Sequence, residues 1–493
     1  MLKDQEQKIK IIQIAMFVVT LIVTTIAGAE WMTGKSLFYG EITITKNELI
    51  NGLTFSIPFL FILTVHEFGH YFMAQYHKVK VTLPFYIPLW LGFLPGFPSL
   101  GSMGAFIKIQ DIIDSRKKYF DIGIAGPLAG FVVAIGVLVY AFTNLPSRES
   151  VFEIHPNYEV YGLDYADHVY TYEHYLEQHK GFYLSDRAKD SVAYLTEYGN
   201  TENWGYPAFE PWPSYTSSYL GSNLLFKFFE YLFVSDPDLV PNRYEMAHYP
   251  WLFAGFLALF FTSLNLLPIG QLDGGHILYG LIGYKTHRKV SRVLFVCLLF
   301  YAGQGIANSK EIYLFFTEGF TRQSFIQEPV VLQLIYFFFI RLCFIKYTDD
   351  NNERTIYALS IFAAQMSVNY FYPTLEGYSG WLLFAFILGR ALGIYHPPVM
   401  INQPLDIKRK VLGWISLVVF VISFSPKPFN VVEVHPQINV DKSETPGILS
   451  AMNPSPYFTR MDMPNSRPLA SINSMNSGVE IKVLEDSPLG SKN

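Results

Sequence analysis

Thr64-Val65-His66-Glu67-Phe68-Gly69-His70 lies within a run, Leu53 to Tyr76, that is otherwise almost wholly apolar. About 20 such residues suffice for a membrane-crossing helix, so the run reads as a span. Residues four apart share one helix face. His66 and His70 therefore present two imidazoles from adjacent turns, a pattern that can hold one Zn2+. Glu67 projects beside them, where it can act as general base on a water. Placing these groups at bilayer depth is costly, about 2.5–3.5 kcal/mol for a central charge even on the mildest scales. A polar contact between helices accounts for one buried histidine, but it accounts poorly for the whole pattern.

Two histidines do not complete a catalytic zinc site, which usually has three protein ligands and a water. A later stretch, Leu264-Asn265-Leu266-Leu267-Pro268-Ile269-Gly270-Gln271-Leu272-Asp273-Gly274-Gly275-His276, offers a third. Asp273 stands just past an apolar helix, where Pro268 and three glycines break the backbone. Irregular backbone at membrane depth is tolerated only against protein or a watery cavity. His276 is a rival ligand, or a partner to one, although the Gly-Gly before it suggests that a tight turn is the point of the segment. Asn265 is either an interhelical amide or a group that binds substrate backbone or an oxyanion.

The whole composition agrees with a membrane setting. Of 493 residues, 51% are hydrophobic and only 16% charged, against about 25% charged in soluble domains. Phe (43) and Tyr (33) are abundant, as lipid-facing and interfacial positions require. The two cysteines, Cys297 and Cys343, lie in apolar runs and exclude a disulfide framework or a cysteine metal site. No basic stripe suggests nucleic acid.

The expected fold is an all-α polytopic bundle of about nine transmembrane helices, near residues 11–28, 53–76, 122–142, 251–269, 290–307, 330–345, 356–371, 381–394 and 411–424. Arg341 and Arg390 interrupt the later ones. The first run follows Lys3, Lys8 and Lys10. Ala27-Gly28-Ala29 mimics a signal cleavage site, but the run is nearer a full span and reads as an anchor.

Basic loops orient the bundle. Lys78, Lys80, Lys108, Arg116, Lys117 and Lys118 follow the second span, and Lys285, Arg288, Lys289 and Arg292 follow the fourth. These loops are expected in the cytoplasm. Residues 145–250, with 16 acidic against six basic side chains, are expected outside. Asp349, Asp350 and Glu353 fall on the inner side against this trend. Spans two and four then run the same way, so both motifs lie toward the cytoplasmic end.

The domain scheme is an anchor (1–50), a first core part (51–144), an acidic, Tyr-rich extracytoplasmic insert (145–250), a second core part (251–284), further spans (285–425) and a mostly disordered tail (426–493). The insert ends in an interfacial amphipathic stretch, 224–229. One strand is expected at 478–483.

These motifs resemble the site-2 protease family of intramembrane zinc metalloproteases. His66-Glu67-Phe68-Gly69-His70 and Asn265-x-x-Pro268-x-x-x-Leu272-Asp273-Gly274 carry the resemblance. Gly101-Ser102-Met103-Gly104-Ala105-Phe106-Ile107-Lys108-Ile109 is similar to the family's membrane-associated β-hairpin, and Gly123-Ile124-Ala125-Gly126-Pro127 to its third-span motif. Coverage is about 53–283, and the plant and cyanobacterial type related to ethylene-dependent gravitropism-deficient proteases is the part of the family that it resembles.

The resemblance implies His66, His70 and Asp273 as zinc ligands, Glu67 as the catalytic glutamate and Asn265 as a substrate contact. The strand-like Met103–Ile109 run, with Gly104, is a candidate edge for adding a substrate strand. Expected partners are the lipid bilayer and transmembrane protein substrates. The expected location is a bacterial cytoplasmic membrane, with the site toward the cytoplasm. Where many relatives carry a PDZ domain, this chain has the acidic insert without a clear PDZ glycine loop. A metal transporter, a prenyl-protein endopeptidase and a catalytically silent scaffold are the rival classes. A transporter tends to place a ladder of ligands on other spans, a prenyl-protein endopeptidase takes a glutamate as third ligand, and a silent relative lacks part of the set.

Overall fold

The computed structural model describes residues 2–38, 43–93, 99–171, 174, 215–234, 239–308, 329–434, 437–440, 471–473 and 479–482. The Trp- and Pro-rich part of the insert, 204–213, lies outside them. The chain forms two compact units, the first made of 1–145, 221–240 and 246–428, the second of 146–220, 241–245 and 429–493.

In the first unit, α1 (Leu2–Thr33), α2 (Lys46–Asn51) and α3 (Leu53–Tyr76) lead to a hairpin of β1 (Phe85–Leu89) and β2 (Gly101–Phe106). Then follow α4 (Arg116–Thr143), α5 (Leu224–Phe233), α6 (Pro250–Leu266) and α7 (Asp273–Ala302). The C-terminal part holds α8 (Pro329–Cys343), α9 (Asn351–Phe371), α10 (Trp381–Ile387), which runs into a π-turn at Leu388–Leu392, and α11 (Ile407–Ser423). α4 packs along α3, α6 and α7 and forms the centre of the unit.

Three helical segments are long and apolar enough to cross a membrane: Gln7–Thr33, Lys46–Tyr76 and Arg116–Thr143. Pro250–Leu266, Val330–Cys343 and Trp381–Leu392 are apolar but shorter. All nine expected stretches fall largely on helices, yet the structure does not establish nine spans. The later ones are short, carry Arg341 or Arg390, or continue a charged helix. α7 shows why. It breaks at Gly283 (φ 75), and the Arg116 guanidinium donates to the Gly280 carbonyl at 3.0 Å, capping the first half.

The hairpin is wedged between α1 and α3. Trp31 Nε1 donates to Ser99 O at 2.8 Å and Trp90 Nε1 to Glu30 at 2.8 Å. Thr64 and Tyr86 share a hydroxyl bond of 2.8 Å, fixing β1 close before His66. Gly101 (φ 77) lets the strand lie against α1, since a Cβ there would stand 2.5 Å from the Thr24 backbone.

α11 is tied to the front of the unit by charge. Arg409 donates to Asp121 at 2.7 and 3.0 Å, and Asp121 also accepts from His77 at 2.8 Å. The Asp406 carboxyl caps α11 and bonds Arg409, which holds it below the usual carboxylate range. Phe120, Ile124, Leu266, Ile277, Leu405 and Val419 form the apolar floor beneath.

The second unit joins β3 (Tyr215–Leu220) to β4 (Phe429–Val434) as an antiparallel pair. Val151, Tyr165 and Val169 form its small core, with Tyr158, Tyr161 and Tyr170 packed around. Tyr170 donates to Glu245. Burial, and then that carboxylate, push its phenol up. The expected strand near 478–483 is seen as β7 (Val479–Lys482), between β5 (Gln437–Val440) and β6 (Ser471–Asn473). Only one strand was expected in the tail. The polar composition of 426–493 hides the short Val-rich β4, whose partner strand lies some two hundred residues away.

Candidate metal centre

His66 and His70 stand on one face of α3, and Asp273 opens α7 after the broken turn that ends α6. His70 Nε2 is 3.1 Å from His66 Nε2. Asp273 Oδ2 is 3.2 Å from His70 Nε2 and 3.4 Å from His66 Nε2. The three ligand atoms thus face one another.

The His70 tautomer follows from its other nitrogen. Nδ1–H donates to the Ile122 carbonyl at 2.7 Å, leaving a lone pair on Nε2. That lone pair faces a carboxylate oxygen and a second imidazole nitrogen, an acceptor-rich cluster that is relieved by a proton or a metal cation lying within it. Ligands about 2.0–2.2 Å from a tetrahedral zinc stand about 3.3–3.5 Å apart, close to the separations seen here. The donor set fits such an ion.

Glu67 is 4% exposed and is not one of the three converging groups. Its carboxylate lies 4.0 Å from His66 Nε2, with the backbone amide of Ile107, just past β2, among its polar neighbours. Asn265 brings its side-chain amide to 3.4 Å from His66 Nε2. Gly104 lies on the hairpin (φ 110), and nothing stands within 4 Å of where its Cβ would be. His276 is not in the cluster; its Nδ1 meets His396 instead, at 2.9 Å.

The helices approach so closely because α4 carries small residues. A Cβ on Gly126 would fall 2.1 Å from His70 Nε2, and one on Gly130 would fall 3.0 Å from the His66 Cβ. Sequence reasoning marked Gly126 as part of a motif without showing what it makes room for. It missed Ile122, Ile107 and His396. Backbone groups leave no side-chain signature, and a lone histidine in an irregular, proline-containing loop has none either.

A membrane helix bearing this constellation defines a class, the membrane-embedded metallopeptidases. The profile of peptidase family M50 matches residues 54–302, slightly more than half of the 493-residue chain. The chain belongs to this family, as its motifs led us to expect, and it is a membrane protein. Among curated proteins, the probable chloroplastic zinc metalloprotease EGY2 of Oryza sativa subsp. indica is 33% identical over 230 residues, 47% of this chain and 29% of that protein. The EGY2 of Arabidopsis thaliana is 33% identical over 134 residues, 24% of this chain and 22% of that protein. The EGY1 of Oryza sativa subsp. japonica is 38% identical over 72 residues, 15% and 11% respectively. The chain spans less than a third of the length of these relatives. No solved structure matches it.

Proposed function

We propose that the chain is a zinc-dependent intramembrane endopeptidase that hydrolyses peptide bonds in or near transmembrane segments of membrane proteins. His66, His70 and Asp273 would hold the metal, and Glu67 would be the general base. The observation that carries this is the convergence of three facing donor atoms from two distant motifs, with a buried carboxylate alongside.

When bound, zinc supplies Lewis-acid chemistry, acidifying a water and polarising the peptide carbonyl. Glu67 takes the proton of the attacking water and delivers it to the leaving nitrogen as the C–N bond breaks. The Asn265 amide donates to the oxygen on which negative charge develops. Asn265→Ala is expected to lower kcat by about 10²-fold, with KM and zinc content little changed. An unchanged kcat would assign Asn265 to helix packing.

The hairpin supplies the substrate track in this reading. β2 pairs only with β1 among the described residues, and Met103 and Phe106 are exposed. A substrate strand added beside Gly104 would run toward Ile107, whose amide is among the polar neighbours of Glu67. The peptide must be locally unwound, since a helix offers no free backbone edge.

The catalytic domain is built from 51–144 and 251–284 in this proposal, with 285–425 as further membrane helices. The basic loops support a site toward the positively biased face of the membrane. In a bacterium that face is the cytoplasmic one, whereas the relatives' names place those proteins in chloroplasts. A metal transporter or silent scaffold is disfavoured by the intact general base and the peptidase-family match.

The test is cleavage of a single-span reporter co-reconstituted with the full chain in vesicles. Cleavage is expected, stopped by a chelator and restored by zinc. A zinc-replete chain that leaves such reporters intact would point to the scaffold.

A further inference from the structure

Residues 393–402, between the π-turn and α11, lie outside the family-matched region. They nevertheless run beneath the turn that carries Asp273. Gly270, three residues before Asp273, is left-handed (φ 62), and its Cβ would stand 2.2 Å from the Gly393 carbonyl oxygen. The Gly270 N–H donates to Ser291 Oγ at 3.0 Å, and that hydroxyl donates to the Ile394 carbonyl at 2.7 Å.

A second link lies three residues after Asp273. His396 Nδ1 is 2.7 Å from the Pro397 carbonyl, which can only accept, so the proton of the neutral ring sits on Nδ1. Its Nε2 therefore accepts, and His276 Nδ1–H donates to it at 2.9 Å. The His396 ring is 2% exposed. It stacks on Tyr279 at 3.9 Å and 4°, and meets Tyr119 edge-on at 4.5 Å. Farther along, Ile401 donates to Asp114 O at 2.9 Å and accepts from the Arg116 amide at 3.0 Å, fastening the segment to the start of α4.

Asp273 is thus bracketed, three residues to either side, by links to one segment. The turn needs such support: Gly270, Gly274 and Gly275 give it close approach at the cost of a large ordering entropy. We propose that 393–402 is a positioning strap. Acting through Ser291 and through His396–His276, it holds the 270–276 turn so that the Asp273 carboxylate stands at its ligand position. The link to metal rests on the reading of Asp273 as a ligand.

The test uses the full chain in detergent and three variants. His396→Phe keeps a ring to stack on Tyr279 but removes the acceptor. His396→Gln keeps an acceptor near the Nε2 position. Ser291→Ala removes only a hydroxyl. Two quantities are measured: hydrogen exchange of the peptide covering 269–277 in metal-free protein, and zinc affinity by chelator competition.

We expect exchange about tenfold faster in His396→Phe and Ser291→Ala, zinc affinity lower by about 10–100-fold, and recovery of most of both in His396→Gln. Exchange within about twofold of wild type in both damaging variants would overturn the strap. A second zinc per chain, lost only in His396→Phe, would also overturn it by making the histidine pair ligands. Faster exchange in both damaging variants, together with a wild type that binds no zinc, would keep the strap and remove the ligand reading of Asp273. Should His396→Phe also raise exchange throughout α4, Ser291→Ala decides.

Discussion

Glu67→Gln is expected to retain about one zinc per chain and to lose peptide cleavage by about 10²–10⁴-fold, the range general acid–base catalysis supplies. Glutamine has nearly the same size and keeps a polar end, so the local packing survives. What it cannot do is take a proton from water and hand it on. Zinc should stay because Glu67 is not among the three converging groups. Elemental analysis and cleavage of a single-span reporter, made on the same preparation, separate the two effects. Loss of zinc together with activity would make Glu67 a structural or ligand residue; full activity would remove it from the proton-transfer step.

Gly126→Ala should be as severe for a different reason. The added methyl would fall 2.1 Å from His70 Nε2, the atom that faces Asp273 and His66. His70 cannot swing aside freely, because its Nδ1–H is bonded to the Ile122 carbonyl at 2.7 Å on the same helix as Gly126. Either the ring leaves its position or α3 and α4 part, and both would cost the proposed site one of its three ligands. Zinc affinity should drop by at least about 100-fold, beyond the about 10–100-fold seen when an outer hydrogen bond is lost. Chelator competition measures this directly, and unchanged affinity would show that the ligand nitrogen lies elsewhere in the bound state.

How far the sequence revealed this site depends on which groups build it. Two histidines and a glutamate on an apolar helix can be read directly. The helical period sets the histidines on one face, and the cost of burying all three groups demands a compensating role. The pairing with Asp273 was harder. It rested on counting spans and noticing that both motifs end on the same face. The packing that brings them together leaves weaker traces. Gly126 reads only as a small residue until its neighbour is known. The acceptor for His70 is a main-chain carbonyl, and the group beside Glu67 is a main-chain amide. His396 sits in a segment with no periodicity, about 120 residues from its partner His276.

The helix count was the least legible feature of the fold. Apolar composition finds stretches that prefer lipid or a protein core, but it does not tell the two apart. Segments such as Trp381–Leu392 bury Trp381, Ala385 and Leu388 against neighbouring helices, so their apolar character is partly spent on protein. Gly283 likewise divides α7 with a single backbone angle, which residue counting passes over.

Zinc content of the detergent-purified full chain, compared with Asp273→Ala, tests the central claim most directly, because it asks whether two motifs two hundred residues apart form one site. About one zinc per chain in the wild type, reduced nearly to zero in the variant, is the expected result. Equal zinc in both would contradict it, and so would none in wild-type protein prepared without chelator.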